Sequence, residues 1–301
     1  MSIDSTVPAI ADPPVPPPKF ESERKQARRE NFRLLIRRPS FIIGTIILLF
    51  WVFCALFGKS FVPHDPLDFR EPLGYQKPSG DFLFGTDQTG RDVFSRVIVG
   101  SRDVLAVAPI AAVLGVFFGT VLGILTGYLG GWFDTIVGRI LESLLALPAI
   151  LVGLLAVTSL GRSSPVVVGV VAVLFTPIVA RTVRAAVLTE RDLDYVTSAR
   201  LRGESKMFIM FREILANIWG PIIVEFTIRI GYAIFVVATL SFLGAGPQPP
   251  SPDWGAMVND SYATDIASGF WWTTVFPALA IASLVIAVNL IADAVQSVLE
   301  G

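Results

Sequence analysis

The chain has 301 residues, of which 53 % are hydrophobic and 16 % charged, with a mean hydropathy of +0.65. Charged residues make up about a quarter of an ordinary soluble domain. A soluble globular fold is therefore excluded, and the apolar residues collect into runs of the roughly 17–25 residues that cross hydrocarbon. The formal net charge of −1 excludes no partner by itself, because in a polytopic membrane protein the placement of charge matters more than its sum.

Residues 1–38 divide into a Pro-rich tail, AIADPPVPPPK, and a basic collar with eight Lys/Arg against three Glu between Lys19 and Arg38. The tail is too rich in proline for a helix and is expected to be disordered. The collar fixes its end of the first span in the cytoplasm rather than marking a nucleic-acid patch. The first apolar run comes too late for a secretory signal and continues as a full span, residues 41–57. It contains the single cysteine, Cys54, which reads as a small packing residue. The only histidine, His64, stands in a Pro-rich loop without neighbouring metal ligands and reads as structural.

Residues 39–103 thus hold one span and an external polar segment. The end of that segment, FGTDQTGRDVFSRVIVGSRDVL, places Asp92 three residues after Thr89, the spacing of a capping box. Val93, Phe94, Val97 and Ile98 then predict an amphipathic surface helix, with Arg91, Ser95 and Arg96 on its polar face. Residues 104–301 form a five-span core. Span two, 104–129, carries Gly115, Gly119, Gly123 and Gly127 at every fourth position, a row that admits a close helix neighbour. Span three is expected over 135–160, span four over 166–187, span five over 219–243 and span six over 270–292. The loop between spans five and six has no Lys or Arg, as the outer side requires.

The polar stretch 190–217 is unlike an ordinary loop. Tyr195, Ala199 and Gly203 recur every four residues, and Met207, Phe208, Phe211, Ile214 and Leu215 form a second apolar stripe. Two short helices hinged near Gly203 are predicted, which can serve as a docking knob for a soluble partner; the alternative is a solvated loop with some helix in it. Glu142, Glu225, Arg229 and Asp293 lie within or beside apolar runs, where charge is costly. Glu225 and Arg229, four apart, form either a self-satisfied ion pair or a lining that touches a polar substrate. Arg139 and Glu142, three apart, repeat the arrangement, and Arg181 and Arg184 read as interface anchors. No nucleotide-binding loop or catalytic constellation is present. The chain is accordingly not read as an enzyme, and uphill transport would draw on a partner or an ion gradient.

Several strings together resemble the C-type permease subunit of dipeptide/oligopeptide/nickel ABC importers. They are FGTDQTGRDVFSRVIVGSR, GYLGGWFD, DYVTSARLRGES, SFLGAGPQPPSPDWGAM and FPALAIA with NLIADAV, in that order along the chain. The resemblance implies an all-α type I ABC importer permease fold with six transmembrane helices and both termini cytoplasmic. It assigns Asp194, Tyr195, Thr197, Ser198, Ala199, Arg202, Gly203, Glu204 and Ser205 to coupling with an ATPase. The family pattern E-A-A-x-x-x-G reads here as Thr197, Ser198, Ala199 and Gly203, and the later proline is replaced by Ala216. The implied partners are a second, B-type permease, two ATPase subunits, an external substrate-binding protein and membrane lipid. ATP and Mg would be bound by the ATPases, with no cofactor on this chain. Di- and oligopeptides are the implied substrates, with nickel chelates, haem or glutathione as variants. From another class, an ion-coupled secondary transporter is the rival reading.

Overall fold

The computed structural model describes residues 34–69, 74–247 and 250–299; the Pro-rich tail and most of the basic collar lie outside them. Among the described residues the chain is all-α, with one isolated bridge, Thr86 to Asp92, and no strand. Five helices are long and apolar enough to cross a membrane: α1 (Pro39–Phe61), α2 (Val93–Leu129), α5 (Ser164–Glu190), α8 (Trp219–Leu240, prolonged by a π turn to Ala245) and α10 (Trp272–Leu299). Helices α3 (Gly131–Leu145) and α4 (Ala149–Leu160) form a bent pair, which makes six spans if the pair crosses once.

That pair corrects the expected straight third span. The two helices meet at 88° because Pro148 follows Leu147 and cannot continue the helix that ends at Leu145. A residue before proline is driven out of the helical region, so the chain turns there.

The start of α2 also differs from expectation. Asp92, not Thr89, is the N-cap; its carboxylate accepts the Ser95 backbone N–H at 3.1 Å and the Ser95 hydroxyl at 2.5 Å. Thr89 instead donates its own N–H and hydroxyl to Asp87 within the preceding turn. The expected surface helix is the first part of α2, which runs unbroken through residues 103 and 104. Its polar face is buried too, Ser95 completely and Arg96 to 3 % exposure, because loops from both ends of the sequence close over it. Arg96 donates to the carbonyls of Pro66, Pro250 and Ser251 at 3.1–3.3 Å. Trp254, fully buried at the start of α9 (Trp254–Ser261), donates its indole N–H to the Val97 carbonyl at 2.8 Å and packs edge-on against Trp51. Asp253 caps α9 through the Ala256 N–H, and burial pushes its carboxyl above the usual carboxylate range.

The glycine row of α2 lies against α5. A Cβ on Gly119 would stand 2.5 Å from the Val179 Cβ, one on Gly123 2.7 Å from the Ala180 carbonyl, and one on Gly127 2.8 Å from the Val187 Cβ. The backbones therefore approach closely along a seam whose α5 side repeats every four residues, at Val179, Val183 and Val187. Gly123→Leu should cost at least about 1–3 kcal/mol by overpacking, read as a lower thermal midpoint or loss of the monodisperse peak in detergent. Gly138→Leu, where a Cβ meets nothing within 4 Å, should leave both unchanged. Equal behaviour of the two variants would contradict the seam.

Candidate functional site

The polar stretch after α5 folds back onto the ends of α2 and α5. Helix α6 (Asp194–Leu201) buries Val196 and Ala199 completely, in one cluster with Ile124 of α2, Val183 and Val187 of α5, and Ile209, Met210 and Ile214. Three polar ties fasten it. Arg191 donates to the Gly127 carbonyl at 3.1 Å, the Arg200 guanidinium lies 5.3 Å from the centre of the Tyr128 ring, and Tyr195 donates to Glu190 at 2.7 Å. Burial, followed by the bond to Glu190, pushes the Tyr195 phenol up to about 12, so it remains a donor at physiological pH.

The predicted hinge is present, and its chemistry is specific. Gly203 adopts φ +79°; its N–H donates to the Arg200 carbonyl at 3.0 Å, and the Glu204 N–H donates to the Ala199 carbonyl at 3.2 Å. This is a Schellman termination, in which a left-handed residue closes the orphan carbonyls of the helix. Ser205 then caps the next segment by accepting the Phe208 N–H at 3.2 Å. One glycine and one serine thus end one helix and start another within three residues. Arg202 adds only surface ion pairs, 3.5 Å to Glu213 and 4.0 Å to Glu204, of small energetic worth.

The second helix, α7, is a composite of Lys206–Phe208, a π turn Ile209–Ile214 and Leu215–Asn217. The π turn corrects the expected apolar stripe. An i to i+5 turn shifts the register, so the buried residues are Ile209, Met210 and Ile214, while Met207 and Phe208 are exposed. The outward face of α6 carries Asp194, Thr197, Ser198 and Leu201, followed by Arg202, Gly203 and Ser205, all exposed. Tyr195 and Glu204 are half-buried, and Ala199 is a core residue facing the other way. Leu201, at 84 % exposure, was not singled out from the sequence. An apolar residue seven after Asp194 and four after Thr197, on an otherwise polar face, is the pattern by which the sequence could have shown it.

Glu225 and Arg229 of α8 pair with each other, Nε to Oε2 at 2.9 Å, and the second Glu225 oxygen accepts the Thr182 hydroxyl of α5 at 2.8 Å. The Arg229 guanidinium faces the rings of Phe175 and Tyr232 at 5.8 and 5.3 Å. Both carboxylate oxygens are thus occupied, and the pair ties α5 to α8. Arg139 and Glu142 form no ion pair among the described residues; both are exposed. Arg184 is not a free anchor but a bidentate partner of Asp134 in α3, with both bonds at 2.6 Å. Arg181, Arg139 and Glu142 border a cavity of about 340 Å³ beside that pair. Asp293 is exposed on α10. His64 stacks on Phe82, its Nδ1 3.6 Å from Asp92.

The described residues thus form a bundle of apolar helices long enough to cross a membrane, with a polar helix pair packed against one end of it. Residues 119–301 match the family described as binding-protein-dependent transport system inner membrane component, and the chain belongs to that family. It is 34 % identical to the dipeptide transport system permease protein DppC of Alkalihalophilus pseudofirmus, over 96 % of this chain and 94 % of the relative. It is 36 % identical to the glutathione transport system permease protein GsiD of Pectobacterium atrosepticum, over 90 % of each. Identity to the di/tripeptide transport system permease protein DppC of Pseudomonas aeruginosa is also 36 %, over 85 % of this chain and 86 % of the relative. The chain is thus a multi-pass inner-membrane permease, and the ion-coupled carrier is displaced.

Glu225→Ala would leave the half-buried Arg229 charge uncompensated, a change that approaches the about 3–5 kcal/mol cost of breaking a buried pair. The expected result is a marked fall in thermal midpoint, with Glu225→Gln milder because it keeps oxygen for Thr182 or Arg229. An unchanged midpoint for Glu225→Ala would show that the pair does not hold α5 to α8.

Proposed function

We propose that the chain is the C-type permease of an ATP-binding-cassette importer for di- and oligopeptides. It would form the translocation path with a second permease and be driven by two ATPase subunits that bind ATP and Mg. The observation that carries this reading is the lever itself. Helix α6 is locked to the ends of α2 and α5 by a buried apolar cluster and three polar ties, yet presents Thr197, Ser198, Leu201 and Arg202 outward. A surface so arranged transmits force as a rigid body. Closure of the ATPases would move α6 and α7, and with them the seam of α2 and α5, switching the path between its two faces. The docking contact must differ in free energy between the two states, or hydrolysis could not bias the gate.

The basic collar before α1 supports a cytoplasmic position for that end, with α6 and α7. The 62–92 and 246–271 segments then face outward, toward a substrate-binding protein. Glu225 and Arg229 lie beside the open face of α8 that carries the exposed Tyr232, and are proposed to line the path. Peptide substrates are supported by the relatives named for dipeptide and di/tripeptide transport. Glutathione, itself a peptide thiol, is the second reading, on the strength of the relatives named for it.

Reconstituted with its partners, the complex should take up peptide only with hydrolysable ATP inside, and collapse of proton and sodium gradients should leave uptake intact. Uptake that follows a gradient would overturn the importer. Leu201→Asp, on a fully solvated face, should keep the thermal midpoint yet lower ATPase co-purification and uptake by about tenfold, the scale of one lost apolar anchor. Retention of both would remove α6 as the docking element.

A further inference from the structure

One crevice serves none of these roles. Between α1, α2, α8 and α10 lies an apolar groove of about 540 Å³, bordered by Leu48, Val52, Leu105, Pro109, Ile230 and Ile234. Arg102 is its only charged lining residue, and it stands at the end nearest the 62–92 segment. Arg102 also borders a polar outer cavity of about 780 Å³, together with Lys59, Asp65 and Asp103. The carboxylates there are engaged by the chain itself, Asp65 by the Leu67 N–H and Asp103 by the Ser251 hydroxyl. The cations are not. Arg102 and Lys59 are exposed and have neither ion pair nor hydrogen bond among the described residues.

We propose that this groove is a phospholipid site, with an acyl chain between α1 and the bundle and the phosphate on Arg102 and Lys59. The groove runs from Leu48 to Leu56 on α1 and from Arg102 to Pro109 on α2, about 10–12 Å at 1.5 Å per residue. That is within one leaflet of a hydrocarbon core of about 30 Å. Left empty, its walls would forfeit dispersion contacts, so an apolar molecule fills it. The unpaired cations at one end select a molecule with an anionic head. The lipid also has a structural task. Helix α1 is the least enclosed of the five long apolar helices, with 22 % of its apolar window buried against 33–50 % for the other four, and the acyl chain fills the gap beside it.

The test counts phospholipid on the purified complex by native mass spectrometry in mild detergent. About one tightly held phospholipid per chain is expected. Ala106→Trp, which fills the groove, and the double variant Lys59→Glu, Arg102→Glu should each lower retention by about tenfold or more, a cation near an anionic headgroup being worth roughly a factor of five. Excess inorganic phosphate should leave retention unchanged, whereas an added lysophospholipid should compete. Ala106→Leu, with an unaltered thermal midpoint, controls for folding. Retention unchanged in both variants overturns the site. Loss only on charge reversal means an anion site without an acyl chain, and loss only with Ala106→Trp means a groove that does not read the headgroup; either overturns the proposal. Efficient cross-linking of Ala106→Cys, in a Cys54→Ala background, to the second permease would show a protein occupant and overturn it as well.

Discussion

The close approach of α2 and α5 is the constraint on which the rest of the molecule depends. Gly119, Gly123 and Gly127 leave no room for a Cβ, and Val179, Val183 and Val187 fill the space from the other side. In hydrocarbon the hydrophobic effect does not draw helices together, so backbone proximity and dispersion must hold the pair. The seam sets the ends of the two helices side by side at the level of Gly127 and Val187. Only there can Arg191 reach the Gly127 carbonyl, and only there do Val196 and Ala199 find Ile124, Val183 and Val187 waiting. The packing of α6 therefore depends on the seam.

The two ends of the bundle are built for different tasks. At the end bearing the 62–92 segment, distant parts of the sequence are knotted through side-chain to backbone bonds: Arg96 to Pro66, Pro250 and Ser251, Trp254 to Val97, and Trp272 to Thr86. A single long donor that satisfies three carbonyls holds loops without regular structure of their own. At the other end α6 meets the bundle through a small apolar face and leaves its remaining surface to solvent. Between them, Glu225 bridges Thr182 of α5 and Arg229 of α8, so α5 and α8 are joined through a polar contact as well as through packing.

The proposed docking of a soluble partner and the proposed retention of lipid would draw on the same property, a surface that the chain does not cover for itself. On α6 that surface is an isolated Leu201 among polar residues, suited to a pocket in an aqueous partner. Beside α1 it is a continuous apolar crevice ending in unpaired cations, suited to an amphiphile.

The sequence by itself determined whatever depends on local pattern. The five long apolar runs, the glycine row, the break at Gly203 and the i, i+4 spacing of Glu225 and Arg229 were all legible, because each is set by residues within a turn or a span of one another. Tertiary structure decided what depends on residues far apart in the chain. Arg184 takes Asp134, fifty residues away, in place of a role as interface anchor. Arg96 is buried because loops from both ends of the chain close on it, which no periodicity in α2 records. The 88° turn at Pro148 and the π turn at Ile209–Ile214 each redirect an apolar pattern that reads as continuous in one dimension. Hydrophobic pattern states which residues avoid water; only the packed helices decide which neighbour each of them meets.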